Sequence, residues 1–167
     1  MKKVLITGGS GFIGKQLIKK LNDNGDIISV IGRKSMGMVE TYICDLESDN
    51  IPESAFSDVD TVFYLAGVAH DLNCTNNKKQ YHKINVDATI NTAKLAIKYG
   101  VRCFVYISST KAGGVLPFSR YCFNETHQYN PGSIYGITKR LAEIGLLNLK
   151  KNTDMQISII RPALIYG

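Results

Sequence analysis

Tyr135 and Lys139 stand four residues apart in Tyr135-Gly136-Ile137-Thr138-Lys139. On a helix that spacing puts a phenol and an ammonium on one face. A free tyrosine titrates near pH 10. A cation beside it favours the phenolate, which turns the side chain into a usable acid or base at neutral pH. A hydroxyl that could share the proton is available in Ser109, at the end of the apolar run of residues 103–107. Taken singly, Ser109 reads as a strand-end serine and Tyr135 as a part-buried aromatic. Their joint occurrence, with a second motif far upstream, points to catalysis.

That second motif is Thr7-Gly8-Gly9-Ser10-Gly11-Phe12-Ile13-Gly14. It follows a short apolar run, Lys3-Val4-Leu5-Ile6, and opens a segment with Ile13, Leu17, Ile18 and Leu21 on one helical face. In that context Gly8 permits a tight turn, Gly11 lets backbone approach a pyrophosphate, and Gly14 lets helix and strand pack closely. The helix N-terminus then offers unpaired N–H groups to phosphate. The end of the second strand should separate NAD from NADP. It reads Ile31-Gly32-Arg33-Lys34, without the carboxylate that would bind ribose hydroxyls. Arg33 is either a clamp for a 2′-phosphate or an exposed turn arginine, and the charge logic favours NADP(H) over NAD(H).

The elements that must hold these residues alternate. Strands are expected at residues 3–6, 27–31, 41–44, 61–65, 103–107 and 156–160, and helices at 12–24, 81–99 and 133–151. Gly25 and Gly100 stand where helix stops belong. Strands alternating with helices imply an α/β fold, a doubly wound parallel sheet with helices on both faces. The expected strand order is 3-2-1-4-5-6, with ligand at the carboxyl ends of the strands. Residues 113–131 read as a long loop over the site.

Composition sets the bounds. The chain has 167 residues, 44% of them apolar and 20% charged, enough for one domain with a real core. No segment approaches the roughly 18 uninterrupted apolar residues of a membrane span. The net charge of +6 comes from scattered lysines with no basic run or basic-aromatic stripe, so neither a nucleic-acid nor a membrane partner is expected. Cys44, Cys74, Cys103 and Cys122 lack metal-ligand spacing; no metal site is expected, and the simplest setting is reducing and cytoplasmic.

With these motifs in hand, the chain resembles the extended short-chain dehydrogenase/reductases, the family of nucleotide-sugar epimerases, dehydratases and reductases. The likeness runs through Thr7 to Gly14, Asp45-Leu46, Leu65-Ala66-Gly67, Asn85-Val86, Ser108-Ser109, the Tyr135 and Lys139 motif, and Arg161-Pro162-Ala163-Leu164-Ile165-Tyr166-Gly167. The resemblance implies a Rossmann fold in which Asp45 and Leu46 meet the adenine. Leu65, Ala66 and Gly67 would line the middle of the cofactor, with Phe12 and Ile13 at the glycine loop and Pro162 and Leu164 near the nicotinamide. Lys139 would also bond the nicotinamide ribose. Asn85 would have a structural or water-relay role, or be a helix cap.

In the family's 4,6-dehydratases an Asp-Glu pair follows the serine; here Thr110 and Lys111 stand there, which argues against dehydration. Ser108-Ser109-Thr110-Lys111-Ala112, with Gly67-Val68-Ala69-His70, looks most like a UDP-glucose 4-epimerase-like subgroup that includes UDP-4-keto-6-deoxy-N-acetylhexosamine reductases. The resemblance therefore implies hydride transfer at C4 of a UDP-sugar, by a 4-keto reductase or by a 4-epimerase holding NAD. A non-catalytic dinucleotide sensor is the reading from another class. Lys111 would meet a substrate phosphate or carbonyl, or be an exposed loop lysine. Family members continue into a smaller domain that binds the sugar, so residues 1–167 are expected to be the cofactor domain, with weak turnover by themselves. A homodimer through the two long helices is a further expectation.

Overall fold

The structure is a computed structural model that describes residues 1–37, 39–48, 50–69, 78–114 and 131–166. His70, Cys74, Cys122, Gly167 and most of the expected 113–131 loop lie outside the described residues. Six parallel strands form one sheet in the order 3-2-1-4-5-6, as the alternation predicts. They are β1 (Lys3–Thr7), β2 (Ile27–Gly32), β3 (Glu40–Ile43), β4 (Thr61–Tyr64), β5 (Cys103–Ile107) and β6 (Gln156–Ile160).

Alternate residues of β1 feed two separate cores, because successive strand side chains point to opposite faces. Val4 and Ile6 pack with Ile28 and Val30 beneath α1 (Phe12–Asp23), which contributes Leu17, Ile18 and Leu21. Leu5 faces the other way, into a larger core with Phe56, Tyr64, Phe104 and Tyr106. That second face is covered by α3 (Ala88–Lys98), through Ala93 and Ala96, and by α4 (Ile134–Lys150), through Ala142 and Leu146. Both faces of the sheet are thus sealed, as near-continuous apolar strands require.

The expected 81–99 helix is composite. A short α2 (Lys78–His82) runs into a π-helical turn, Lys83–Asp87, and then into α3. Such turns occur frequently at functional sites, and this one contains Asn85. Helix α4 starts where Ser133 caps it, its Oγ accepting from the Gly136 N–H at 3.1 Å. No described helix is long and apolar enough to cross a membrane.

Candidate functional site

The carboxyl ends of β1, β2, β4, β5 and β6 open onto a groove made of two adjoining cavities, of about 400 and 450 Å3, that share Gly8, Gly11, Leu65 and Gly67. The first cavity takes in Arg33, Asp45, Leu46 and Ala66. The second takes in Phe12, Ile13, Gly14, Ser109, Tyr135, Lys139, Pro162 and Leu164. Every described site residue expected from sequence therefore lies along one groove. A broader hollow at the amino ends of the strands, between Lys2, Asp60, Arg102 and Asp154, holds none of them.

The glycine loop is built for close approach. Gly8 has φ +72°, and a Cβ there would come within 2.7 Å of the Ala66 nitrogen. A Cβ on Gly14 would lie 2.5 Å from the Gly8 carbonyl. The Gly8 carbonyl also accepts from the Gly11 N–H at 3.0 Å, closing the turn. Gly11 caps α1 with no side-chain bond, and no acidic residue occupies the first turn. The positive end of the helix therefore faces the groove unneutralised. Thr7 ties the loop to the next strand, its Oγ1 accepting from the Ala66 N–H at 3.2 Å. These features fit a dinucleotide pyrophosphate.

At the adenosine end, Arg33 is exposed beside the cavity that also contains Asp45. Asp45 is oriented by an Asx turn, its Oδ1 accepting from the Glu47 N–H at 3.0 Å. Sequence reasoning overlooked Glu47 and Gln80, which line the same cavity and join across it, Gln80 Nε2 donating to Glu47 Oε2 at 2.7 Å. Their only sequence signal is polarity.

At the other end, Tyr135, Ser109 and Lys139 converge. Burial pushes the Tyr135 phenol above its ordinary range, and a hydrogen bond with Ser109 pulls against that shift. Among the chain's own groups desolvation therefore prevails at Tyr135; the downward shift expected from sequence needs an oxidised nicotinamide beside the lysine ammonium. Lys139 is 4% exposed, and burial lowers its ammonium to about 8. Its Nζ donates to the Ile107 carbonyl at 2.9 Å and lies 6.0 Å from the Tyr135 ring centroid. Lys111 reaches the ring from elsewhere, also at 6.0 Å, on a 3-10 turn (Thr110–Gly113) whose first N–H groups fold onto Ser109: the Lys111 N–H donates to Ser109 Oγ at 3.2 Å. Close packing of that turn on α4 depends on Gly136, where a Cβ would meet the Lys111 carbonyl at 2.5 Å.

Asn85 is no helix cap. Buried in the π turn, it accepts from the Val68 N–H at 2.8 Å and donates to the Val68 carbonyl and to Thr138 Oγ1, each at 3.1 Å. It thereby pins the loop after β4 to α4, beside Lys139. Among the described residues, no cluster of three metal-ligating side chains occurs.

Comparison with known proteins agrees with this geometry. The profile of the NAD dependent epimerase/dehydratase family matches residues 4–167. A UDP-glucose 4-epimerase of Vibrio cholerae is 30% identical over 99% of this chain and 52% of its own length. The solved UDP-glucose 4-epimerase of Thermotoga maritima, with UDP-glucose, superposes with a TM-score of 0.88 at 27% identity, over 99% of this chain and 56% of that one. MoeE5 in complex with UDP-glucose and NAD gives 0.81 at 28% identity, over 94% and 52%. The chain spans about half the length of the curated relatives it matches. With the profile matching nearly its whole length, the chain belongs to the NAD dependent epimerase/dehydratase family.

Proposed function

We propose that this chain is the cofactor-binding and proton-transferring part of a nucleotide-sugar oxidoreductase acting at C4 of a UDP-sugar. The observation that carries the reading is the convergence of Tyr135, Ser109 and Lys139 at one end of a groove whose middle is the glycine cradle. A nicotinamide dinucleotide bound there supplies the site that takes or gives the hydride. Gly11 lets the backbone approach its pyrophosphate, Gly8 makes the tight turn and Gly14 packs the helix against that turn, with Phe12 and Ile13 at the helix start. Asp45 and Leu46 face the adenine, Leu65, Ala66 and Gly67 the middle, and Pro162 and Leu164 the nicotinamide. Tyr135 moves the proton on the sugar C4 oxygen, and Ser109 holds that oxygen. Lys139 supplies positive charge beneath the phenol and bonds the ribose.

Two reactions share this machinery. In a 4-keto reductase hydride goes once to the sugar and Tyr135 protonates the resulting oxygen. Arg33, with no carboxylate at the end of β2, supports that reading with NADP(H). A 4-epimerase, in which hydride leaves and returns to the opposite face, is supported by the Vibrio cholerae and Thermotoga maritima relatives and by the NAD held in the MoeE5 complex. Lys111, where dehydratases would need a carboxylate, disfavours elimination. The remaining half of the relatives' length is expected to bind the sugar, so turnover by residues 1–167 alone is weak.

Calorimetric titration of the chain with NADPH and with NADH tests the assignment. Binding of either supports the groove, and binding of neither sinks it. Preference for NADPH that disappears in Arg33→Ala supports the reductase; preference for NADH makes Arg33 a bystander and favours the epimerase. In a form with the remaining half of the relatives' length, Tyr135→Phe keeps cofactor binding and loses at least about 100-fold in turnover. Unchanged turnover there would leave a dinucleotide sensor.

A further inference from the structure

Glu143 lies one helical turn past Lys139 and two past Tyr135, on the same face of α4. No role assigned above uses it, yet its side chain is 1% exposed. Oε1 accepts from Ser108 Oγ at 2.6 Å and from Arg161 Nε at 2.8 Å. Oε2 accepts from Arg161 Nη2 at 2.5 Å and from Arg140 Nη1 at 3.0 Å. Ser108 precedes Ser109 at the end of β5, and Arg161 precedes Pro162 at the end of β6. The two strand ends are stitched to each other as well: the Ser108 N–H donates to the Ile160 carbonyl at 2.7 Å and the Thr110 N–H to the Pro162 carbonyl at 3.1 Å. One carboxylate thus joins the three elements that carry Ser109, Pro162 and the Tyr135–Lys139 pair.

Geometry alone would allow a purely architectural ion pair, but a buried ion pair is poor value for stability compared with apolar packing. The charges around Lys139 give a stronger reason for an anion here. From β5, Tyr106 places its ring centroid 4.8 Å from Nζ. From α4 come Tyr135 and Glu143, with Arg140 beside Glu143; from the end of β6 comes Arg161, behind the same carboxylate. Asn85 and the Gly67 backbone approach without charge, and Lys111 lies across the Tyr135 ring. Among these described groups Glu143 is the one carboxylate.

We propose that Glu143 is a positioning residue for the proton chemistry: its carboxylate fixes Ser109 and Pro162 against α4, and its charge retains the ammonium of Lys139 beneath Tyr135. The proposal rests on the role given to Lys139 above. Burial lowers that ammonium to about 8, and Glu143 opposes the shift. Glu143 itself is pushed up by burial, but its bonds to Arg161, Ser108 and Arg140 prevail and hold it below the usual carboxylate range, so it is charged at neutral pH. Replacing it with a neutral group leaves the burial of Lys139 with no opposing charge, and the ammonium gives up its proton at lower pH.

The test is an NMR titration of the lysine Cε signals of the whole chain, with the Lys139 signal assigned through Lys139→Arg. The unaltered chain should show Lys139 titrating near pH 8. In Glu143→Gln it should titrate at least about one pH unit lower, a tenfold change in proton affinity, while Glu143→Asp restores it and the surface lysines stay put. A folded Glu143→Gln whose Lys139 does not move overturns the proposal. Should Glu143→Gln fail to fold, the unaltered chain decides: titration below about pH 6.5 would mean that no carboxylate holds the ammonium, which also overturns it. Failure of the functional reading is seen separately, as absence of NADH and NADPH binding by the unaltered chain.

Discussion

Lys139 illustrates how a residue suited to chemistry is costly to fold. Burial lowers it from 10.5 to about 8, so the unfolded chain binds that proton more tightly than the native one. The native state carries the whole penalty below about pH 8, and stability recovers as pH rises through the window from about 8 to 10.5. Lys139→Met removes the penalty while filling the same space. We expect it to stabilise the chain by roughly 1–3 kcal/mol at pH 7, the loss of the bond to the Ile107 carbonyl offsetting part of the gain. The advantage should vanish above about pH 10. Urea unfolding of both proteins at pH 7 and pH 10 measures it; a Met variant less stable at pH 7 would mean that the bond to Ile107 and the attraction of Glu143 outweigh desolvation. A site that destabilises its own scaffold in this way trades stability for activity.

At the scale of elements, the glycine loop, the strand ends and α4 are held in register by buried and half-buried polar groups. Asn85 satisfies both the N–H and the carbonyl of Val68 and reaches Thr138 on α4. Asn85→Ala leaves the part-buried Val68 N–H and carbonyl without this partner, while Thr138 Oγ1 keeps its bonds to the Ile134 and Tyr135 carbonyls, and we expect a loss of about 1–3 kcal/mol, read from the urea midpoint of the purified chain. A loss under about 0.5 kcal/mol would show that water replaces the amide. These same ties explain what was legible in the sequence. The strands and their order were, because near-continuous apolar runs alternating with helical patterns leave few topologies. The glycine loop and the Tyr135–Lys139 pair were, because their spacing carries the mechanism. The π turn was not: its extra residue leaves the apolar period of residues 81–99 intact, and what selects it is the long-range demand of Val68 and Thr138. Glu143 was not singled out either, since a glutamate on a helix ordinarily faces water. Its one local signal is the four-residue step from Lys139, which places it on the buried face. The desolvation of Tyr135 was not legible either, because it depends on packing that no spacing reveals.

At the scale of the whole molecule, the outer face of α4 is an apolar surface left uncovered among the described residues. Ile137, Leu141 and Ile144 recur at helical spacing and stay 40–43% exposed, with Leu147 on the flank. That face lies opposite the one bearing Tyr135, Lys139 and Glu143, so anything covering it would brace the catalytic side from behind. The outward positions of α3, by contrast, are Asn91, Lys94 and Lys98. An interface shared equally by both helices, as the family resemblance implies, would set lysines against their copies, whereas one centred on α4 would bury an apolar stripe. The net charge of +6 opposes association of two copies at long range, and salt screens that repulsion while leaving apolar burial intact. We therefore expect self-association to strengthen between about 50 and 300 mM salt, and Leu141→Lys to abolish it without changing dinucleotide binding. Sedimentation equilibrium over a concentration series reads both effects. A chain that stays monomeric at about 100 μM in high salt, where even an interface of only 8 kcal/mol would be filled, would leave the stripe to be covered by something other than a second copy.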